Sequence, residues 1–246
     1  MIESFEEFSA SAPRDSRIYA VGDIHGRVDL LRHLHGLIEA DAARPGVTCN
    51  TVVYLGDYVD RGAESAAVID LILDAPPRGC GVVTLKGNHE ELMLRFRDDI
   101  SVARGWLMNG GDTTLASYGV EPPLIYAGAP AFEQAQAKFA ASLPPRHLAF
   151  LEQLALTHVA GDYLFVHAGI RPGVKLAEQR ADDLLWIRDK FLDSEERFEK
   201  LVVHGHSITL NPAIRANRIG IDTGAYASGR LTCLVLEGRS RRFIST

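Results

Sequence analysis

The sequence predicts an α/β fold, which some schemes would class as α+β, from two observations. Short apolar runs alternate with helical patterns up to residue 97, in the order β-α-β-α-β-α. Strand patterns then return from Tyr163 onwards. At 246 residues the chain fits one large domain or two small ones. Late antiparallel strands after early βα units favour a mixed sheet or two stacked sheets.

The elements of the first half follow from their apolar patterns. Leucines at positions 30, 31, 34 and 37, with Ile38, repeat at the period of an amphipathic helix. Short apolar runs that end in Gly-Asp or Gly-Asn indicate buried strands that enter a loop. These patterns predict strands at 18–21, 51–55 and 81–85, and helices at 28–43, 65–73 and 90–97.

The second half is less regular. Residues 98–160 contain Gly-Gly and Pro-Pro pairs and helical patterns near 131–141 and 146–156. We expect a mainly helical insertion within a single domain that spans 17–246, preceded by a polar, loosely held N-terminal arm at 1–16. The remaining strands are predicted at 163–167, 201–204, 218–222 and 231–236, with the last two antiparallel because their connection is short.

Composition and charge argue against several kinds of partner. A net charge of −6 is not that of a general nucleic-acid binder. No stretch approaches the ~18 consecutive apolar residues of a membrane span, and the acidic N-terminus lacks the pattern of a secretory signal. We therefore expect a cytoplasmic protein without nucleic-acid or membrane partners, and the sequence does not predict its oligomeric state. Cys49, Cys80 and Cys233 form no Cys-x-x-Cys pair, which argues against a disulfide framework or a zinc knuckle.

Five short motifs supply carboxylates, imidazoles and an amide oxygen, and nearly all of them follow a predicted strand. One Gly-Asp after a strand is most often a turn, and one histidine on a strand is most often a core residue. The ordered set of five is too specific to arise by chance. The motifs are Gly22-Asp23-Ile24-His25-Gly26, Gly56-Asp57-Tyr58-Val59-Asp60-Arg61-Gly62, Gly87-Asn88-His89-Glu90, His167-Ala168-Gly169 and His204-Gly205-His206.

These residue types predict a site for two divalent metal ions. Asp23 and His25 are two positions apart, so both side chains point to the same side of an extended segment. Nitrogen and oxygen donors without thiolates favour Mn, Fe or Zn over Cu(I) or calcium. A site of this kind stabilises the attacking and leaving oxygens of a phosphoryl transfer. The candidate ligands are Asp23, His25, Asp57, Asn88, His167 and His206.

The charge of such a site suits a phosphate dianion despite the acidic chain. Two divalent ions carry +4 and two carboxylates carry −2, so the site is about +2 before any arginine is counted. Surface charges are screened beyond about 8–10 Å in physiological salt. The net charge of −6 is therefore compatible with a phosphate ester as the substrate.

The motif set from Asp23 to His206 resembles the phosphoprotein phosphatase family of metallophosphoesterases. It is similar to the bacterial branch of that family and to the bacteriophage lambda protein phosphatase. The resemblance implies a β-sandwich of mixed sheets flanked by helices, and it covers nearly the whole chain apart from the arm. Asn109-Gly110-Gly111 also resembles the bacterial type, whereas the rest of the 98–160 insertion matches it only loosely.

The same resemblance implies a role for each motif residue. Asp23 and His25 would bind the first metal ion, Asp57 would bridge, and Asn88, His167 and His206 would bind the second. The expected ions are two divalent metals, with manganese preferred and iron or zinc as alternatives. A hydroxide that bridges the two ions would attack phosphorus in line, without a phosphoenzyme.

The resemblance further implies the catalytic and substrate-binding groups. His89 would protonate the leaving oxygen while Asp60 holds its imidazole. Arg61 and Arg188 would bind phosphate oxygens, and Tyr226 would lie near the phosphate. The implied catalytic residues are His89, Asp60, Arg61 and Arg188, and the implied substrate-binding residues are Arg61, Asn88, Arg188 and Tyr226.

Other histidines and one glutamate receive simpler interpretations. Glu90 is expected in the first turn of a helix, where an acid interacts well with the helix dipole, and not as a ligand. His204 is expected to be a strand residue or to support the ligands. No function is assigned to four histidines expected in helical stretches without partners, namely His33, His35, His147 and His158.

The preferred hypothesis is a metal-dependent phosphatase that acts on phosphoserine or phosphothreonine. Its support is the Asp60-Arg61 pair of the second motif and Glu90 of the third. A small-molecule hydrolase of the same fold, such as a symmetrical diadenosine tetraphosphatase, stays open, as does phosphotyrosine or phosphodiester activity. A phosphate-binding pseudoenzyme is a remote alternative, since no predicted ligand is missing.

Overall fold

Two mixed five-stranded sheets form the centre of the structure, a computed structural model that describes residues 10–246. The strand order is 10-9-1-2-3 in the first sheet and 4-5-6-8-7 in the second. In chain order the strands are β1 (Ser16–Val21), β2 (Cys49–Tyr54), β3 (Cys80–Thr84), β4 (Thr157–Ala160), β5 (Tyr163–Val166), β6 (Leu201–His204), β7 (Ala213–Ile214), β8 (Arg218–Gly220), β9 (Thr232–Glu237) and β10 (Ser240–Ser245).

Helices cover the outer faces of both sheets. The helices are α1 (Val28–Ala42), α2 (Ser65–Asp74), α3 (Asn88–Asp98), α4 (Ala103–Trp106), α5 (Asp112–Ser117), α6 (Ala129–Ser142), α7 (Pro145–Glu152), α8 (Ala181–Trp186), α9 (Asp189–Leu192) and α10 (Ala225–Ser228). A π-helical turn, Leu107–Gly111, joins α4 to α5, and short 3₁₀ turns lie at Ile100–Val102 and Leu176–Glu178.

The alternation of side chains along each strand divides the core into three parts. In β1, Ile18 and Ala20 pack between the two sheets, whereas Tyr19 and Val21 pack against the helices of the first sheet. In β5, Phe165 packs between the sheets and Leu164 packs on the outer face of the second sheet. Successive residues of a strand point to opposite faces, so each of these apolar strands is buried on both faces and contributes to two layers of the core. The predicted β-sandwich with flanking helices is confirmed.

Two predictions about the later strands are wrong. β8 and β9 were expected to pair with each other, but β8 is parallel to β6 in the second sheet and β9 is antiparallel to β1 in the first. The short link therefore crosses between the sheets. The sequence patterns also missed β4, β7 and β10. His158 consequently lies in a strand and not in a helix.

The N-terminal arm was predicted at residues 1–16, of which 1–9 lie outside the described residues. The part that is described packs against the sheets. The Ala12 N–H donates to the Gly238 carbonyl at 2.8 Å, and the Ala12 side chain is buried between the sheets. Ser16 already belongs to β1. The division into an arm and a single domain with an insertion at 98–160 stays a prediction.

No helix in residues 10–246 combines the length and the apolar character needed to cross a lipid bilayer. The longest is α1, with 15 residues, and it carries the buried Asp41 near its end. This helix packs on the first sheet through Leu31, Leu34 and Ile38. Its amphipathic pattern thus serves the core, as the leucine spacing predicts.

Two histidines expected to lack partners are in fact hydrogen-bonded. His147 contacts the Tyr118 hydroxyl at 2.9 Å and the Asp70 carboxylate at 2.9 Å. His35 accepts a hydrogen bond from the Tyr54 hydroxyl at 2.7 Å and donates to the Ala75 carbonyl at 3.2 Å. Burial lowers the pKa of His35 to about 4, so its ring is neutral near pH 7.

We expect His35 to make the metal-free protein less stable as the pH falls from about 6.5 to about 4. The pKa is lower in the folded state, so the unfolded chain takes up this proton first and stability is lost in that window. At about 1.4 kcal/mol per pKa unit, protonation of His35 should lower the free energy of unfolding by on the order of 2–3 kcal/mol over this pH range. Urea unfolding of wild type and His35→Gln over this range measures it.

The matched control is His33→Gln, which changes an exposed histidine of the same helix. His35→Gln should lose less stability than wild type between pH 6.5 and pH 4, whereas the control should follow wild type. Equal losses in all three proteins would contradict the prediction.

Candidate metal centre

The predicted ligands converge because they follow parallel strands. β1, β2 and β3 run parallel in the first sheet, and β5, β6 and β8 run parallel in the second. The carboxyl ends of parallel strands meet at one edge, where α/β proteins bind their ligands. Buried ligand candidates follow β1, β2, β3, β5 and β6 within one to four residues, and they are Asp23, Asp57, Asn88, His167 and His206.

The loops that carry these residues adopt an uncommon backbone conformation. Among the described residues, six that are not glycine have a positive φ, and five of the six belong to the motifs. Left-handed backbone at such residues costs free energy and clusters at functional sites. The five are His25 (φ 47°), Asp57 (52°), Asp60 (71°), Arg61 (68°) and His206 (61°).

Backbone hydrogen bonds and close glycine contacts join these loops. The backbone N–H groups of Ile24 and His25 both donate to the Asp57 carbonyl, at 3.0 and 2.9 Å. A Cβ atom at Gly205 would collide with the carboxylate of Asp23, so only glycine fits there. The Asp23 carboxylate itself accepts the backbone N–H of His206, at 3.0 and 3.2 Å.

Glu90 does more than interact with a helix dipole, contrary to the expectation. It is fully buried at the start of α3. One carboxylate oxygen accepts the N–H groups of Asp57 and Gly87, at 2.8 and 2.9 Å. The other accepts those of Tyr58 and Val59, at 2.8 and 3.2 Å. Glu90 therefore holds the second motif in the conformation that aims Asp57.

Asp57 is shared by two groups of potential metal-binding atoms. One group consists of Asp57, His25 and His89, and the other of Asp57, His167 and His206. Within each group, one atom from every residue lies within 4.8 Å of the others. The residue expected to bridge two ions is thus common to both groups.

Two of the imidazoles are held by backbone carbonyls. His25 donates from Nδ1 to the Val59 carbonyl at 2.8 Å, and His167 donates from Nδ1 to the Leu55 carbonyl at 2.9 Å. Burial lowers the pKa of both rings, that of His25 to about 3, so both are neutral near pH 7. Their Nε2 lone pairs then lie 3.5 and 3.4 Å from the Asp57 carboxylate.

Asn88 and His206 complete this cluster of acceptors. The Asn88 Oδ1 atom lies 2.8 Å from His167 Nε2 and 2.9 Å from His206 Nδ1. The Nε2 atom of His206 is buried and has no hydrogen-bond partner among residues 10–246. Burial also lowers the pKa of His206 to about 2. Neutral imidazoles whose second nitrogen is already held are suited to bind metal ions, so these residues fit divalent cations.

Asp57 is ionised in this setting. Burial alone would raise its pKa, but the surrounding imidazoles of His167, His89, His25 and His206 outweigh burial and lower the pKa. Asp23 differs, because burial and the nearby carboxylates of Asp222 and Asp57 raise its pKa well above the usual range. Like charges this close favour a cation between them.

His89, a member of the first group, forms a buried pair with Asp60. Its Nδ1 atom lies 2.6 Å from the Asp60 carboxylate. Burial alone would lower the His89 pKa, but Asp57 and the hydrogen-bonded Asp60 outweigh it and raise the pKa to about 9. The Arg61 guanidinium lies 3.3 Å from His89 Nε2. His89 therefore combines a fixed Nδ1 with an Nε2 atom that faces the site.

The predicted phosphate-binding residues lie around the two groups. The Arg61 guanidinium packs over the Tyr226 ring at 4.7 Å, and this ring meets His25 edge-on at 5.5 Å. Arg188 is exposed and contacts the Ser207 hydroxyl at 3.5 Å, next to His206. All eleven predicted site residues are thus brought into one region.

One geometric argument from the sequence is wrong, and one acidic residue was missed. Asp23 and His25 are not neighbours on an extended segment, because His25 has a left-handed backbone. Asp222 follows β8 in Gly220-Ile221-Asp222, the same strand-then-Asp pattern as the motifs, yet it was overlooked. It is buried, its side chain is hydrogen-bonded with Asp23, and burial raises its pKa to about 6.

Comparison with known proteins defines the class to which this fold and site belong. The family model for calcineurin-like phosphoesterases matches residues 16–229, so the chain belongs to that family. It is a phosphoesterase, a hydrolase. The match spans β1 to α10 and includes every residue of the candidate site.

Individual relatives differ in the substrates that their names state. The chain is 29% identical over 225 residues to serine/threonine-protein phosphatase 2 of Escherichia coli K12, with 87% of this chain and 90% of the relative covered. It is 25% identical over 233 residues to an asymmetrical bis(5′-nucleosyl)-tetraphosphatase of Anoxybacillus flavithermus, with 87% and 88% covered. A crystal structure of a candidate diadenosine tetraphosphatase has the same fold, with a TM-score of 0.61, 22% identity and 93% of each chain covered.

Replacing Glu90 by Gln should destabilise the site loops. The amide keeps one acceptor oxygen and turns an NH₂ group toward two backbone N–H groups that lose their acceptor. At about 1–3 kcal/mol for each buried unsatisfied group, the free energy of unfolding should fall by about 2–6 kcal/mol. We also expect weaker metal binding, because Asp57 is no longer held. Urea unfolding and isothermal titration with Mn²⁺ measure both effects.

Glu91→Gln is the matched control, since Glu91 is the next residue of α3. Within residues 10–246, its one ion pair is with the partly exposed Lys86, at 3.5 Å. This variant should keep wild-type stability and metal affinity. A Glu90→Gln protein as stable as Glu91→Gln would show that Glu90 does not organise the loop.

Proposed function

We propose that the protein is a binuclear metal-dependent phosphomonoesterase that hydrolyses phosphoserine and phosphothreonine. The observation that carries this proposal is the buried Asp60–His89 pair, with a 2.6 Å hydrogen bond, beside two groups of potential metal-binding atoms that share Asp57, the first of which includes His89. A proton donor of this kind serves a leaving group that is a strong base. Family membership supports the phosphoester chemistry.

Six residues would hold the metal ions. Asp23, His25 and Asp57 would bind the first, and Asp57, Asn88, His167 and His206 the second. Manganese is the preferred ion, with iron or zinc as alternatives, because the donors are nitrogen and oxygen without thiolate. When bound, such ions supply Lewis-acid stabilisation of the phosphoryl oxygens and lower the pKa of water so that it becomes a nucleophile at neutral pH.

The remaining residues would bind the phosphoryl group and move one proton. Arg61 and Arg188 would pair with the phosphate oxygens as planar guanidinium groups. The oxygen of water forms a bond to phosphorus while the ester P–O bond breaks, and its electron pair stays on the leaving oxygen. His89 would give that oxygen its Nε2 proton, and Asp60 would hold the Nδ1–H. The proton that the attacking water loses would pass to solvent, and His89 would take up a proton again before the next turnover. The products are an alcohol and inorganic phosphate.

The general acid favours serine and threonine esters over polyphosphates. The alkoxide of serine or threonine is a strong base and leaves only when protonated. A nucleotide leaves from a polyphosphate as a weak base and needs no proton. A proton donor such as the Asp60–His89 pair therefore accelerates the hydrolysis of an alkyl ester. The cleavage of a dinucleoside polyphosphate does not require one.

A dinucleoside tetraphosphate is the second candidate substrate. Two partly exposed aromatic rings flank the site: Tyr226 lies beside His25, and Trp186 meets His206 edge-on at 6.4 Å. Nucleobases stack on such rings. The relative from Anoxybacillus flavithermus is named for asymmetrical cleavage, so this second candidate would be an asymmetrical enzyme and not the symmetrical type considered from the sequence.

A substrate panel tests the proposal. Purified protein loaded with Mn²⁺ should be assayed with a phosphoserine peptide, a phosphotyrosine peptide, diadenosine tetraphosphate and a bis-aryl phosphodiester. We expect the highest kcat/KM for the phosphoserine peptide. The highest kcat/KM for diadenosine tetraphosphate would favour the second candidate, and hydrolysis of none of the four would refute the proposed function.

His89→Asn should retain both metal ions yet lower kcat for a phosphoserine peptide by about 10²–10⁴-fold, the usual contribution of a general acid. Metal content by mass spectrometry and steady-state kinetics measure the two effects. Asp57→Asn provides the contrast, since it should lose metal as well as activity. Near-normal turnover in His89→Asn would contradict the role of His89 as the proton donor.

A further inference from the structure

The helical segment between Trp106 and Thr114 lies against the turn that carries Asp60 and Arg61. This segment comprises the end of α4, the π-helical turn and the start of α5. It belongs to the predicted insertion at 98–160, most of which matches the resembled family only loosely, and it contains Asn109-Gly110-Gly111. Its contacts with the site are therefore informative about what the insertion does.

Two side chains of the segment bind the Asp60 carboxylate. The Thr114 hydroxyl donates to Oδ1 at 2.6 Å. The Trp106 indole N–H lies 2.9 Å from Oδ2 and 3.2 Å from Oδ1. His89 Nδ1 is the third partner, at 2.6 Å from Oδ2. All four of these residues are buried, so water does not compete for the carboxylate.

The backbone of the same turn is also held. The Asp60 N–H donates to the hydroxyls of Thr114 and Ser65, at 2.9 and 3.0 Å. The Arg61 N–H donates to the Gly110 carbonyl at 3.2 Å. Gly110 has φ 98°, and a Cβ atom there would collide with the Arg61 backbone. These contacts stabilise the left-handed conformation of Asp60 and Arg61.

Packing fixes the direction of the Trp106 N–H. The indole is fully buried, with the Phe96 ring at 4.8 Å and the Phe139 ring at 5.9 Å. A Cβ atom at Gly111 would collide with the indole, so the chain passes directly beside it. A donor held in this way favours one orientation of the carboxylate that it binds.

We propose that Trp106 and Thr114 are positioning residues that orient Asp60 and, through it, the His89 imidazole. The inference rests on the proposed function. With two donors already on the carboxylate, Asp60 presents Oδ2 to His89 Nδ1 in one geometry. The Nε2 proton of His89 is then aimed at the leaving oxygen. Loss of either donor frees the carboxylate to rotate and misaligns that proton.

The test compares leaving groups in metal-loaded wild type, Thr114→Val and Trp106→Phe. For a phosphoserine peptide, whose alkoxide must be protonated, kcat should fall by about 10–100-fold, part of a general-acid contribution. For 4-nitrophenyl phosphate, whose leaving group is a weak base, kcat should fall much less. Metal content and the inhibition constant for inorganic phosphate should match wild type.

Two further variants separate positioning from general damage to the fold. Thr114→Ser keeps the hydroxyl and should recover most of the lost turnover. Tyr118→Phe removes a partly buried hydroxyl just beyond α5 that contacts His147 and not Asp60, and it should behave as wild type with both esters. Should Thr114→Val fail to fold, Trp106→Phe, which keeps most of the aromatic volume, carries the same comparison.

The outcomes distinguish this inference from the proposed function. Equal losses with both esters, or no loss with either, would overturn the positioning role while the wild-type activity stands. Failure of the wild type to hydrolyse either ester would refute the proposed function itself, and the inference with it. A loss confined to the phosphoserine peptide supports both.

Discussion

The ionised carboxylate of Asp57 is the interaction around which the site is arranged. It is buried at the junction of two groups of imidazoles, and those imidazoles lower its pKa against the effect of burial. An isolated charge in such a place would be costly. His25 and His167 are neutral near pH 7, and their Nδ1 atoms are held by backbone carbonyls. Lone pairs and negative charge therefore converge where a cation fits.

This arrangement depends on backbone that is unfavourable by itself. Left-handed residues other than glycine cost on the order of 1–3 kcal/mol each where they persist. Here the cost is offset by buried hydrogen bonds from Glu90 of the third motif and from residues outside the motifs. Glu90 accepts four backbone N–H groups of the loops, and the Trp106–Thr114 segment holds the turn at Asp60. Stability of the fold and geometry of the site are thus coupled.

Much of the fold and the site was predictable from local pattern. The early strands, the first helices and the motif residues after each strand were found because apolar period and Gly-Asp signals are short-range. The sheet to which β8 and β9 each belong was not predictable. A short link between two strands has the same sequence pattern whether the strands pair with each other or enter different sheets. β10 was missed because its exposed edge position leaves no apolar alternation.

By itself, the sequence determined which residue types stand after which strands, and so the class of chemistry and the candidate ligands. The tertiary structure decided what joins them. Trp106, Thr114 and Asp222 act on motif residues 46 or more positions away. Glu90 holds residues 57–59, which are 31 to 33 positions away. Their roles arise from burial and hydrogen-bond direction, which depend on packing between distant segments. No short-range pattern carries that information.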